Sequence, residues 1–226
     1  MADGYSAAQV QAAERPLLDA GVPLMQRAAD GLAAEIDREL DRTVRPRSVV
    51  VLVGSGNNGG DALYAAARLA DHVEVLLVLL SDRVHEAGLA AALQAGAETA
   101  EDADGPWSID RILARARAAS ILVDGILGTG SAGRAAPRGI ARGLLEQLSL
   151  VREELGTVVA VDLPSGVDPD DGSIPGVALR ADVTVTFGAV KAGLLLAPGR
   201  DHAGEVRLID IGLDMSRVEP TVRTER

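Results

Sequence analysis

The chain contains no cysteine, and only one Trp, two Tyr and one Phe occur in 226 residues. The first absence excludes disulfides, thiolate metal sites and a cysteine nucleophile. The second leaves a core of Val, Leu, Ile and Ala, the residues of parallel sheets covered by helices. It also leaves no aromatic platform for stacked bases; Trp107 and Phe187 read as packing. Basic residues are in deficit, 22 against 33 acidic ones, for a net charge of −11, and Lys and Arg form no run. That balance disfavours nucleic acid as a partner. No apolar run approaches the roughly 20 residues of a membrane span. The opening MADGYSAAQVQAAERPLL has neither a basic leader region nor an apolar one. The expectation is a soluble, cytoplasmic protein with no membrane partner.

What is present alternates. Ser6 can cap a helix to about Asp19, and Pro23 precedes Leu24, Ala28, Leu32, Ile36 and Leu40 at steps of four. The run SVVVLV (48–53) predicts a fully buried strand, followed by a glycine turn and a helix to about Ala70. VEVLLVLL (73–80) predicts a second strand, and His85 to Ala95 a second crossover helix. Asp104-Gly105-Pro106 breaks the chain, and Ser108 caps IDRILARARAA. Further strands are expected at 120–123, 157–161, 182–187 and 205–209, with a helix around Gly139 to Glu154. Strands alternating with helices predict one α/β domain over residues 1–214: a three-layer α/β/α sandwich with a mostly parallel central sheet. DMSRVEPTVRTER lacks an apolar period, so 215–226 is expected to be a flexible tail.

The polar residues collect at strand ends. Gly54-Ser-Gly56-Asn-Asn-Gly59 places G-x-G-x-x-G between a strand and a helix, where backbone N–H groups hold phosphate. Alone it is also an ordinary tight turn, but Asn57, Asn58 and Asp61 exceed what a turn needs. Asp124 closes one strand and opens a glycine-rich loop ending at Arg134, which could equally be an ordinary surface loop. Asp162 closes another and precedes Leu163-Pro164-Ser165-Gly166, where an Asx-type turn is the ordinary reading. Three such ends at one sheet edge point to a ligand site. The oxygens of Asn58, Asp124 and Ser165 suit a hard cation, and a free carboxylate could exchange protons with a substrate. Lys191 could reach the same edge, although a lysine there is ordinarily solvated. His72, His85 and His202 read as surface residues. A dinucleotide dehydrogenase would want an acid at the end of the second strand; Glu74 comes too early for it and Asp82 late.

These motifs resemble a known family. GSGNNGGDALYAAARLA is similar to GxGNNGGDGxxxARxL of the YjeF N-terminal domain, the NAD(P)H-hydrate epimerases. GVPLMQRAA resembles its LMxRAG helix, DGILGTG its DAxxGTG, VVAVDLPSGVD its VxxDxPSGxD, and ADVTVTFGAVKAGLLLAPGR its ADxTVTFxxxKxGxxxxPGR. The order is the same and nearly the whole chain is covered. Two departures stand out: Ala62 replaces a glycine, and SAGR after GTG shifts the arginine.

The resemblance implies a Rossmann-like fold, a homodimer, and epimerisation of NADHX or NADPHX, nicotinamide cofactors hydrated at C6. It places substrate binding on Asn57, Asn58, Gly59, Gly60 and Asp61. A second binding loop falls on Gly128, Thr129, Gly130 and Ser131, then Ala132, Gly133 and Arg134, with Asp162 as a further contact. Potassium, one ion per subunit, falls on Asn58, Asp124 and Ser165, and no redox cofactor is needed. Asp162 is expected as the general acid that protonates the departing C6 hydroxyl, with Lys191 as a second proton-transfer or orienting group; a ring-opened route stays open. The resemblance also implies a functional link to an ADP- or ATP-dependent dehydratase. The competing readings are a non-catalytic scaffold on the same fold and an NAD-dependent oxidoreductase.

Overall fold

The computed structural model describes residues 2–103 and 105–224. Asp104, expected at the chain break, and the last two residues of the expected tail lie outside them. The chain opens with a short strand, β1 (Ala2–Gly4), and two helices, α1 (Ala7–Asp19) and α2 (Leu24–Leu40). Ser6 caps α1 through Gln9 N–H, and the Gln9 side chain reaches back to the Ser6 N–H, a reciprocal pair that satisfies two otherwise orphaned donors. Pro23 stands one position ahead of α2, at its N-cap.

The valine-rich run forms β2 (Ser48–Val53), followed by α3 (Asn57–Leu69), β3 (Glu74–Leu79) and α4 (Glu86–Gln94). Three short strands, β4 (Glu98–Thr99), β5 (Glu101–Asp102) and β6 (Gly105–Pro106), precede α5 (Ile109–Ala118), whose N-terminus Ser108 caps. Then come β7 (Ile121–Gly125), α6 (Gly139–Leu150), β8 (Thr157–Val161), β9 (Val183–Phe187), α7 (Gly199–Ala203), β10 (Glu205–Ile209) and β11 (Val222–Thr224). The helix expected to Glu154 stops at Leu150 and yields to a 3₁₀ turn, Arg152–Glu154.

Among the described residues, one seven-stranded sheet has the order β10-β9-β8-β7-β2-β3-β4, with each pair parallel. Period-two alternation divides β2 between two cores. Val49, Val51 and Val53 face Leu32, Ile36 and Leu63 of α2 and α3. Val50 and Leu52 face Ile112, Leu144 and Leu148 of α5 and α6. Helices thus cover both faces, the three-layer sandwich expected from pattern. The chain runs outward from β2 to β3 and β4, then returns to the other side of β2 as β7. That reversal opens a crevice beyond the carboxyl ends of β2 and β7, where doubly wound sheets bind ligands.

The segment expected as a tail is not loose throughout. Val222–Thr224 pair antiparallel with Ala2–Gly4, and the Gln9 side chain bonds to Glu219 O and Thr221 Oγ1. The two ends of the described chain therefore clasp each other beside α1.

Candidate functional site

Two loops meet at the crevice. Gly54 N–H donates to Gly125 O at 3.2 Å, and a Cβ at Gly54 would stand 2.0 Å from Ile126 O. A Cβ at Gly59 would stand 2.2 Å from Gly54 O. These glycines let backbone approach backbone, and the loop then enters α3 through Gly56, which offers no side-chain cap. The first-turn N–H groups of α3 are left for a ligand.

Beneath the loops lie the three expected cation ligands. Asp124 is 1 % exposed, and its carboxylate accepts Ser165 N–H at 2.8 Å and Ser165 O–H at 2.6 Å. Burial pushes the Asp124 carboxyl up, and the bonds from Ser165 offset only part of that push. Ser165 Oγ accepts Leu127 N–H at 2.9 Å, which ties the β7 loop to the β8 loop. Asn58 is buried with its Nδ2 unpartnered, and a Cβ at Gly128 would lie 2.7 Å from its Oδ1. Among the described residues no group of three or more His, Cys, Asp or Glu could hold a metal ion.

Asp162 carries the sharpest backbone constraint. Its φ of +65° is the only left-handed one outside glycine among the described residues. One carboxylate oxygen accepts from Lys191 Nζ and from Thr186 Oγ1 at 3.2 Å; the other accepts from Thr129 Oγ1 and from Thr129 N–H at 3.1 Å. Burial alone would raise this carboxyl, but the Lys191 charge and these hydrogen bonds outweigh it and hold it below the usual range. Lys191 is not solvated: it is 1 % exposed and also donates to Phe187 O at 2.9 Å. Its charge is tolerable there because a carboxylate and two oxygens surround it.

Asp61 lies on the same wall, one helical turn beyond Asn57 and Asn58. Among the described residues no hydrogen bond or ion pair reaches its carboxyl. Burial pushes it well above the usual range, and the neighbouring Asp162 charge pushes further. Glu14 of α1, which the sequence reading did not single out, is raised by burial too and feels both Lys191 and Asp162. No local motif marks it; only the packing of α1 over the crevice brings it there.

These groups line a cavity of about 1120 Å³. Of the residues expected from sequence, Asn57, Asn58, Asp61 and Asp162 line it, as do Thr129, Arg134 and Lys191. Gly128, Gly130 and Ser131 belong to the same lining. Gly59, Gly60, Ala132 and Gly133 do not: the first two are buried in α3, and Gly133 N–H is taken by Asp168 at 2.8 Å. His85 is not a bystander either, since its Nδ1 accepts Gly88 N–H at the start of α4 and its ring meets Tyr64 edge-on.

Residues 21–193 match the family described as YjeF-related protein N-terminus. The chain is 50 % identical to an NAD(P)H-hydrate epimerase of Clavibacter michiganensis, covering all of this chain and 97 % of that protein. It is 47 % identical to an NAD(P)H-hydrate epimerase of Microbacterium testaceum, over 96 % of this chain and 82 % of that one. A bifunctional NAD(P)H-hydrate repair enzyme of Mycobacterium tuberculosis is 39 % identical over 95 % of this chain, which spans 42 % of its length. The crystal structure of yeast ynu0 has the same fold, with a TM-score of 0.69 at 21 % identity over 91 % of this chain and 86 % of that one. The chain belongs to the YjeF-related N-terminal domain family.

Proposed function

We propose that the protein interconverts the R and S epimers of NADHX or NADPHX, so that an epimer-specific dehydratase can restore the cofactor. The observation that carries the mechanism is the unequal pair of carboxyls, Asp61 and Asp162, on one cavity wall. Two titratable groups pushed apart by their surroundings divide acid from base. Asp162, held by four donors, is the ionised member. Asp61, buried and without donors, is the protonated one, so the acid expected at Asp162 is reassigned to Asp61.

The chemistry follows from that division. Asp61 gives its proton to the C6 hydroxyl, the C6–O bond breaks with loss of water, and the ring nitrogen lone pair forms a planar cation. The Asp162 carboxylate offsets the developing positive charge. Water adds to either face of C6, and Asp61 takes back the proton, so nothing is oxidised or reduced. The open N–H groups of α3 would hold the pyrophosphate and fix the ring near the acid.

A potassium ion fits the residues beneath the loops: amide, carboxylate and hydroxyl oxygens from Asn58, Asp124 and Ser165 form a hard donor set. Bound there, the ion would neutralise clustered oxygens and brace the loops. The link to a dehydratase is supported by the bifunctional repair enzymes among the relatives. Assembly as a homodimer rests on the family resemblance, and a cytoplasmic location on composition.

The deciding experiment follows purified R-NADHX by chromatography in potassium buffer at mildly alkaline pH, where the acid-promoted background is slow. Rapid approach to the epimer equilibrium is expected. An epimer ratio that tracks the no-protein control would overturn the proposal.

A further inference from the structure

The cavity extends well past the carboxyl pair. Leu80 N–H continues the pairing of β3 with β2 by donating to Val53 O at 3.0 Å, which sets Ser81 beside the Gly54 loop. Ser81 and Arg83 both line the cavity, whereas Asp82 between them does not. The Ser81 hydroxyl accepts Arg83 N–H at 3.2 Å and shapes this turn. Among the described residues the Arg83 side chain enters no ion pair or hydrogen bond. Arg152 is engaged with Asp182 and Arg207 with Glu35 and Glu39, whereas Arg134 and Arg138 of the same lining, in the segment after β7, are as unpartnered among the described residues as Arg83, so Arg83 is singled out by its place after β3. A free guanidinium on a cavity wall is a donor set without its anion.

The distances suit one particular anion. Asp162 follows β8 and Arg83 follows β3, with β7 and β2 between. Three strand spacings of about 4.8 Å separate those ends, roughly 14 Å in all. The glycine loop and the N-terminus of α3 stand between them, after β2, two spacings from β8 and one from β3. A dinucleotide with its nicotinamide at Asp61 and Asp162 and its pyrophosphate at α3 brings its adenosine ribose to β3. In doubly wound folds an acid at this strand end takes the ribose 2′-hydroxyl, and an arginine takes a 2′-phosphate. Here the acid does not line the cavity, and the arginine does.

We infer that Ser81 and Arg83 form a 2′-phosphate subsite that favours NADPHX over NADHX. This inference rests on the epimerase reading for its substrate, but its binding test does not.

Two measurements test it. In the epimerisation assay, the ratio of kcat/KM for NADPHX to that for NADHX is expected to fall about tenfold or more in Arg83→Ala. In calorimetry, 2′,5′-ADP is expected to bind the unaltered protein more tightly than 5′-ADP, and Arg83→Ala is expected to erase that preference. Equal losses for both substrates would assign Arg83 to the pyrophosphate and overturn the subsite, as would an unchanged ratio. Should the protein epimerise neither compound, the epimerase reading falls and calorimetry alone decides: equal affinity for the two nucleotides overturns the subsite. Arg83 is exposed and unpartnered, so its removal leaves folding intact.

Discussion

Asp162 accepts four hydrogen bonds, from Lys191, Thr186 and twice from Thr129, while Asp61 on the same cavity wall accepts none among the described residues. The two carboxyls interact: burial raises the Asp61 carboxyl first, and the neighbouring Asp162 charge raises it further. A site that needs an acid beside an anion obtains both from one residue type by distributing the donors unequally.

Asp61→Asn is therefore expected to lower kcat by about 100-fold or more, in the range of a lost general acid. It should also stabilise the fold by about 1 kcal/mol at neutral pH, because a strained functional group is removed. The sign follows from the raised carboxyl. Such a group contributes stability fully below the ordinary carboxylate range and loses it as pH rises through its folded pKa. The unaltered protein should thus weaken relative to the variant as pH rises through that window, and its kcat should fall there as well. Urea unfolding and initial rates across the pH range check both; a variant with full activity would remove Asp61 from the chemistry.

The Lys191–Asp162 pair behaves in the opposite sense. Lys191→Met leaves a buried carboxylate without its cation, at a cost of about 3 kcal/mol, whereas Lys191→Met with Asp162→Asn removes both charges and should recover much of the loss. Because the Asp162 carboxyl is held low, its stability is present above the ordinary carboxylate range and disappears as pH falls through the folded pKa. Asp162→Asn should flatten the acid limb of the stability curve, read by denaturant midpoints; an unchanged acid limb would show that the pair is energetically idle.

A second coupled pair explains a departure in the sequence motifs. Ala62 stands where the resembling family has glycine, and Gly125 stands where that family has alanine. In the structure the two positions face each other: a Cβ at Gly125 would lie 2.6 Å from Ala62 Cβ and 3.0 Å from Leu52 O. Gly125→Ala alone is expected to destabilise by about 1–3 kcal/mol through overpacking. Adding Ala62→Gly should return more than half of that, measured as a double-mutant cycle by urea denaturation. Strict additivity of the two changes would refute the contact.

Legibility from sequence tracked the range of the forces involved. The strands at 48–53 and 157–161 are readable to the residue because buried parallel strands impose nearly unbroken apolar runs, and the edge strand at 205–209 because Val206, Leu208 and Ile209 still mark it between charged residues. Ser6 and Ser108 announced their helices because capping is decided within three residues. Lys191 is legible as a candidate for the site edge, but its burial is not, because its partner lies 29 residues away and is delivered by an adjacent strand. The unequal surroundings of Asp61 and Asp162 are illegible in sequence for the same reason: both are aspartates at strand or helix ends, and only the donors that Thr129, Thr186 and Lys191 bring to Asp162 tell them apart. The strand Val222–Thr224 carries no apolar period, and its pairing with Ala2–Gly4 rests on backbone bonds and the cross-strand ion pair of Arg223 with Asp3 at 3.5 Å.

That terminal clasp has a consequence at the cavity. Tyr5 N–H donates to Val190 O and Ala192 N–H donates to Tyr5 O, so the segment paired with Val222–Thr224 also straps the Lys191 loop. Asp170 accepts the Ala7 N–H at 2.6 Å and anchors the first turn of α1, whose Glu14 faces the carboxyl pair. Deleting residues 217–226 removes the partners of β1 and of Gln9 while leaving the sheet and both cores untouched. The expected result is a several-fold rise in KM and faster amide exchange over Ala7–Asp19, with the urea midpoint lowered by no more than about 1 kcal/mol equivalent. A deletion variant whose KM and α1 exchange match those of the intact chain would show that the clasp does not reach the site.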